Sequence, residues 1–288
     1  MSTTIGTVTL NNGVEMPRLG YGVYQITDPA ECERAVTLAL DAGYRLIDTA
    51  ANYGNEVSVG RAIAASGVAR EELFVTTKVQ PQDGTFEGTK KAFAQSLDRL
   101  GLEYVDLYLQ HMPFNDVFGS WRAMEEFAAA GTAGAIGVSN FSAERLQDFV
   151  LHTNTVPAVN QIEFHPLSQQ KAVRAVMAEH DIVLNAWGPF AQGREGLFDN
   201  ETIAGIAEKK GKTPAQVILR WHYQQGVVAI PKSTNPERLV ANLDVFDFGL
   251  SDTEIDAINA LDEDKYLMKS PLDPQLIRHI TSPDHYTA

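Results

Sequence analysis

Eight times along this chain a short apolar run gives way to a stretch with helical periodicity, and few folds accommodate that rhythm. The runs occupy 19–24, 46–50, 73–79, 105–111, 135–141, 157–164, 182–190 and 227–232. Most are apolar on both faces, as strands of a parallel sheet covered on both sides must be. Parallel neighbours need crossover connections, and the intervening segments read as helices. Phe86, Phe93, Leu97 and Leu100 share one helical face, as do Val117, Trp121, Met124 and Ala128. Gly43, Gly101, Gly131 and Gly226 stand just before the next run, where a helix commonly ends in a left-handed residue. Asp28-Pro29-Ala30-Glu31, Thr213-Pro214-Ala215-Gln216 and Ser251-Asp252-Thr253-Glu254 carry helix-start signals. Eight strand–helix units predict a single α/β domain over 1–288, a (β/α)8 TIM barrel. Residues 7–17, with Asn12-Gly13 as a tight turn, predict a hairpin that caps the barrel's bottom.

Charge narrows the partners. With 37 acidic against 23 basic residues the net charge is −14, which repels nucleic acid and anionic membrane surfaces. An anionic ligand would have to be held by a local basic cluster. The lone cysteine, Cys32, falls on the apolar side of a helix with Val36, Ala39 and Leu40 and reads as core. The first residues show no signal-peptide pattern, and no run is long enough for a membrane span, so the expectation is a cytoplasmic protein. There is no His-Glu-x-x-His and no His-x-His pair, so no metal is expected, and the Gly-x-Ser-x-Gly of a serine nucleophile is absent as well. His165, in Phe164-His165-Pro166, reads as structural.

Asp48, Tyr53, Lys78 and His111 lie at or just beyond the C-terminal ends of the second, third and fourth runs. In a parallel barrel these ends belong to neighbouring strands and open on one face. An acid, a phenol, an amine and an imidazole should therefore meet in one mouth. A free tyrosine, with a pKa near ~10, is a weak acid at neutral pH. A nearby ammonium stabilises its phenolate and lowers that value. Lys78 can provide the ammonium and Asp48 its counter-charge. His111 can hydrogen-bond a carbonyl oxygen while Tyr53 gives up its proton. A Schiff-base role for Lys78 would require a neutral amine, which Asp48 opposes.

These residues sit in Gly43-Tyr44-Arg45-Leu46-Ile47-Asp48-Thr49-Ala50-Ala51-Asn52-Tyr53-Gly54-Asn55-Glu56, Phe74-Val75-Thr76-Thr77-Lys78 and Asp106-Leu107-Tyr108-Leu109-Gln110-His111. With Ile136-Gly137-Val138-Ser139-Asn140-Phe141 and Ile230-Pro231-Lys232-Ser233, the chain resembles the aldo-keto reductase superfamily along almost its whole length. The branch it is most similar to is the prokaryotic one related to the 2,5-diketo-D-gluconate reductases. The resemblance implies Asp48, Tyr53, Lys78 and His111 as a catalytic tetrad and a small-molecule carbonyl substrate. It also implies a C-terminal tail, 264–288, over the active-site mouth, and a monomer more readily than an oligomer.

The cofactor must bind without a dinucleotide fingerprint. Gly20-Tyr21-Gly22 lacks the third glycine, since Gln25 stands there, and Gly84 to Lys90 is too short for a phosphate loop. Barrels often bind phosphate after the seventh and eighth strands. There Lys232, Ser233 and Arg238 cluster about a helix start near Pro236, with Thr234 and Glu237 at capping-box spacing. The resemblance assigns this loop to an adenosine 2′-phosphate, so NADPH is favoured over NADH, with Asn242 facing the adenine. It further places Ser139, Asn140 and Gln161 on the nicotinamide carboxamide and Trp187 against its ring. Gly22, Tyr24, Gly188, Phe190, Gln192 and Gly193 lie at matching cofactor positions. Many relatives follow the histidine with Trp-Pro, whereas this chain has Met112-Pro113 and a divergent tail, in which His279 and His285 read as exposed. The expected activity is NADPH-dependent carbonyl reduction. The alternative is a nucleotide-sensing subunit on the same fold with little turnover.

Overall fold

The computed structural model describes residues 5–264, 266–267, 270–271 and 273–281. Strands β1 (Thr7–Thr9) and β2 (Glu15–Pro17) pair antiparallel. The barrel strands are β3 (Tyr21–Gly22), β4 (Leu46–Asp48), β5 (Phe74–Val79), β6 (Val105–Gln110), β7 (Ala133–Ser139), β8 (Val159–Glu163), β9 (Val183–Trp187) and β10 (Val228–Ala229). They pair in chain order, all parallel. Leu19 bridges Ala229 in parallel, and the Gly20 amide donates to the Ala229 carbonyl at 2.9 Å, so the sheet closes on itself as a (β/α)8 barrel. The hairpin lies under the N-terminal strand ends. Asn11 donates to the Pro157 carbonyl and Asn12 to that of Gly134, while Leu10 and Met16 join the barrel's inner core.

The helices start and stop as local chemistry dictates. Asp28 accepts from the Glu31 amide, and Thr213/Gln216 and Ser251/Glu254 form reciprocal capping boxes. Gly43, Gly101 and Gly131 close their helices with positive φ. Cys32 is buried in the outer core between helix and sheet, and burial pushes its thiol up to about 11.

Inside the barrel, strand register and the two-residue alternation sort inward-facing residues into layers drawn from alternate strands. Leu46, Leu107, Val159 and Val228 form one low layer. Gly20, Thr76, Gly137 and Asn185 come next. A Cβ on Gly20 would stand 2.2 Å from a Leu46 methyl, and one on Gly137 would stand 2.8 Å from a Leu109 methyl, so glycine makes room where layers interlock. Above these lie Asp48, Leu109, Gln161 and Ile230, then Gly22, Lys78, Ser139 and Trp187. The layer at the mouth contains His111, Glu163 and Lys232.

Candidate active site

The charged groups begin above the layer of Gly20, Thr76, Gly137 and Asn185. Asp48 is 2% exposed and Lys78 fully buried. Lys78 Nζ stands 2.6 Å from Asp48 Oδ1 and 2.7 Å from the Thr49 carbonyl. Across the barrel Gln161 Nε2 donates to Asp48 Oδ2 at 2.7 Å. Burial pulls the Lys78 ammonium below its ordinary range, against the opposing pull of Asp48. A buried pair like this gains little net stability, yet breaking it by removing one partner costs about 3–5 kcal/mol.

Tyr53 stands on the short turn Ala51–Tyr53 just past β4, which Gly54 closes at φ 70°. Lys78 Nζ is 5.1 Å from the centre of its ring. The rings of Tyr24 and His111 pack against it at 5.0 Å and 5.7 Å. His111 follows β6, its amide held by the Val79 carbonyl at 3.0 Å. Desolvation, with the Lys78 charge beside it, pushes the imidazole down to about 3, so it is neutral at physiological pH. The site thus holds a neutral imidazole beside a phenol, over a buried ammonium–carboxylate pair.

Asn140 links the next wall. It adopts a left-handed backbone (φ 62°), which asparagine tolerates better than most residues. Its Nδ2 lies 3.0 Å from both the His111 carbonyl and Ser139 Oγ, and 3.2 Å from Met112 Sδ. Its Oδ1 accepts from Trp187 Nε1 at 3.0 Å, which fixes the indole at the end of β9. Ser139 Oγ donates to the Gln161 carbonyl at 2.8 Å. The loop that follows runs through positive φ at Gly188, Ala191, Gln192, Gly193, Glu195 and Gly196. Three of these are not glycine, and such conformations cluster at ligand clamps.

At the far end, Tyr21 Oη donates to the Ser233 carbonyl at 2.7 Å and anchors the chain leaving β10. The helix Pro236–Leu243 is capped by Asn235, whose side chain accepts from the Arg238 amide, and not by Thr234. Proline at the first helical position holds the preceding residue extended, which is cap geometry, and leaves Thr234 one position too early. The helix start is correspondingly poorer in free amides, since Pro236 has none and Asn235 takes that of Arg238. Side chains remain: Lys232, Ser233, Arg238 and Asn242 face the cleft.

These groups share one cleft of about 1050 Å³. Of the residues expected from sequence, only Lys78, beneath the floor, and Thr234 do not line it. Lys232, Arg238 and a cation that sequence reading overlooked, Arg194, also line it, and none forms an ion pair with a described residue. In a chain of net charge −14 this leaves three positive side chains available to an anionic ligand. Glu163 was overlooked as well, although its alternation with Gln161 places it inward. The tail supplies Tyr266, Leu276, His279 and Ile280. His279 is exposed, as expected, and it also lines the cleft; His285 lies outside the described residues. The i, i+4 pair Leu276/Ile280 hinted at an apolar helix face, though not at what it would cover. His165 is fully buried against Glu163. Among the described residues no three His, Cys, Asp or Glu side chains are grouped to hold a metal ion, and no helix is long and apolar enough to cross a membrane.

Residues 18–263 match the aldo/keto reductase family. A glyoxal reductase of Bacillus subtilis is 48% identical over 92% of this chain and 96% of its own length. The crystal structure of an aldo/keto reductase from Brucella melitensis superposes with a TM-score of 0.86 at 47% identity, covering 90% of this chain and all of that one. A Bombyx mori aldo-keto reductase solved in complex with NADP gives a TM-score of 0.87 at 35% identity, covering 91% of this chain and 94% of that one.

Proposed function

This chain belongs to the aldo/keto reductase family of oxidoreductases, and from that premise we propose that it reduces small aldehydes, diketones or keto-sugars with NADPH, Tyr53 being the proton donor. The observation that carries the reading is the buried Lys78–Asp48 pair beneath the Tyr53 ring, beside an imidazole held neutral.

The residues present fit the cofactor. Gln161, Asn140 and Ser139 offer amide and hydroxyl groups for a carboxamide, and Trp187, pinned by Asn140, offers a flat apolar face. Gly22, Gly188, Phe190, Gln192 and Gly193 border the space between the two ends. Lys232, Ser233 and Arg238 suit a 2′-phosphate, which distinguishes NADPH from NADH, and Asn242 suits the adenine. When bound, NADPH supplies a hydride to the carbonyl carbon.

The chain's own residues do the rest. Tyr53 and neutral His111 hydrogen-bond the carbonyl oxygen and draw electron density toward it. As negative charge develops there, Tyr53 passes its phenolic proton to the oxygen, leaving a phenolate and an alcohol. Lys78 stabilises that phenolate electrostatically, and Asp48 keeps Lys78 charged despite its burial. Met112 offers a flexible thioether at the pocket edge, which favours tolerance of substrate shape. The similarity to a glyoxal reductase supports small dicarbonyls as the first substrates to try.

The test is consumption of NADPH, then NADH, followed by absorbance against glyoxal, larger aldehydes, diketones and keto-sugars. Turnover with NADPH preferred is expected. Tight NADPH binding without turnover across the panel would instead favour a nucleotide sensor on this fold.

A further inference from the structure

We propose that Glu163 is a positioning residue for substrate selection: its buried carboxylate clasps the C-terminal tail at Leu267 and so holds in place the cleft wall that the tail provides. The kinetic part of this inference rests on the carbonyl-reductase reading; the clasp itself does not.

Glu163 ends β8 and turns inward into the layer that holds His111 and Lys232. It is 1% exposed. A carboxylate at that depth is costly unless donors satisfy it. Two of its partners are clear. His165 Nε2 lies 2.9 Å from Oε1. The Leu267 backbone amide donates to the same oxygen at 2.7 Å. Leu267 belongs to no helix or strand, so its amide has no ladder to satisfy it.

The surrounding bonds share one direction. The Glu263 amide donates to the Leu167 carbonyl at 3.0 Å, and Tyr266 Oη donates to Gln170 Oε1 at 2.8 Å. With the Leu267–Glu163 bond they fasten the start of the tail to β8 and the loop after it. The far end, the helix Pro274–Thr281, is held where Gln82 donates to the Ile280 carbonyl at 2.5 Å. At and between these two anchors Tyr266, Leu276 and Ile280 face the cleft. Of the three bonds named at the near anchor, the one to Glu163 ends on a carboxylate buried in the barrel mouth. A charge-assisted bond is roughly twice as strong as a neutral one, so its loss frees the chain at Leu267, beyond the point where Lys171 and the Gln169 amide hold the Asp262 carboxylate. A carbonyl compound large enough to lean on that wall would then bind less well. The smallest, which touches only Tyr53 and His111, would not notice.

The experiment uses the full chain and four variants: Glu163→Ala, Glu163→Gln, Leu267→Pro, which deletes the amide donor from the tail side, and Leu267→Ala, which keeps that amide and removes only the side chain that packs on the outer core. An effect shared equally by Leu267→Pro and Leu267→Ala overturns the clasp. Hydrogen–deuterium exchange is read over the tail and over β4–β7. KM and kcat are read for glyoxal and for phenylglyoxal, its bulky analogue. Expected are faster exchange in the tail alone for Glu163→Ala and Leu267→Pro, with Glu163→Gln intermediate because its amide oxygen still accepts. In Leu267→Pro, KM for phenylglyoxal should rise about tenfold, with glyoxal kinetics within about twofold of the parent, the scale of one lost charge-assisted bond. Unchanged tail exchange in Leu267→Pro overturns the clasp, and so does an equal rise in KM for both substrates. Should Glu163→Ala fail to fold, Leu267→Pro decides. Should the parent reduce neither substrate, the reductase reading fails while exchange still decides the clasp.

Discussion

Leu46, Leu107, Val159 and Val228 fill the low part of the barrel, while Asp48, His111 and Gln161 project from higher positions on or just after β4, β6 and β8. The low layer is held by dispersion and by exclusion of water, forces that tolerate a change of apolar side chain so long as the volume is conserved. The upper layers are held by directed bonds, Lys78 and Gln161 on Asp48 and Trp187 on Asn140, that fail if one atom is missing. The contrast teaches a division of labour along each strand. The lower residues make the barrel, and that rigid frame holds polar groups in a buried geometry they could not keep alone.

The sharpest way to break this division is Tyr53→Phe. It removes one hydroxyl from the mouth and should lower kcat by about 10²–10⁴. NADPH binding, read by fluorescence, and the urea midpoint should hardly move. Unchanged kcat would remove Tyr53 from the proton-donor role. The converse change is Leu107→Ala, which should cost about 2–5 kcal/mol in urea denaturation while turnover per folded molecule survives. Lys78→Met crosses the line between the two. It should abolish most turnover and, by stranding Asp48, also cost about 3–5 kcal/mol of stability. A stable, inactive Lys78→Met protein would show that the pair contributes to chemistry alone.

Smaller effects sharpen the picture at the rim. Lys232→Ala and Arg238→Ala should each weaken NADPH by about tenfold or more, the worth of a charge-assisted bond, and NADH far less. Equal losses for both nucleotides would put the 2′-phosphate elsewhere. The gentlest test is pH. Burial holds His111 down at about 3 and His222 at about 4, against about 6.5 in an unfolded chain. Between those values the unfolded state binds protons that the folded state does not, so stability is lost as pH falls from about 6.5 toward 3. Urea midpoints measured from pH 7 to pH 4 should decline accordingly. Because His111 is already neutral, kcat/KM should show no limb near 6.5 attributable to it.

Much of this was legible from local signals. Eight runs, their glycine stops and the Thr213 and Ser251 caps depend on residues only a few positions apart, and such interactions survive translation from sequence to structure unchanged. The cap at Asn235 was misplaced by one residue because Thr234 and Glu237 imitate a capping box, while Pro236 decides where the helix can begin. Arg194 was missed because a lone arginine in a glycine-rich loop has no periodicity to betray its direction. Glu163 was missed because one of its partners, the Leu267 amide, reaches it only once the tail has folded back.

The sequence alone therefore determined the number and order of strands, the face on which Asp48, Tyr53, Lys78 and His111 would open, and the family, because backbone periodicity and short motifs are properties of neighbouring residues. Tertiary structure decided the rest: that Asp48 serves Lys78 and Gln161 at once, that His111 is neutral, and that the tail wall is fastened at Glu163. Each of these depends on burial and on partners brought from distant parts of the chain, and desolvation and long-range hydrogen bonds exist only after the barrel has closed.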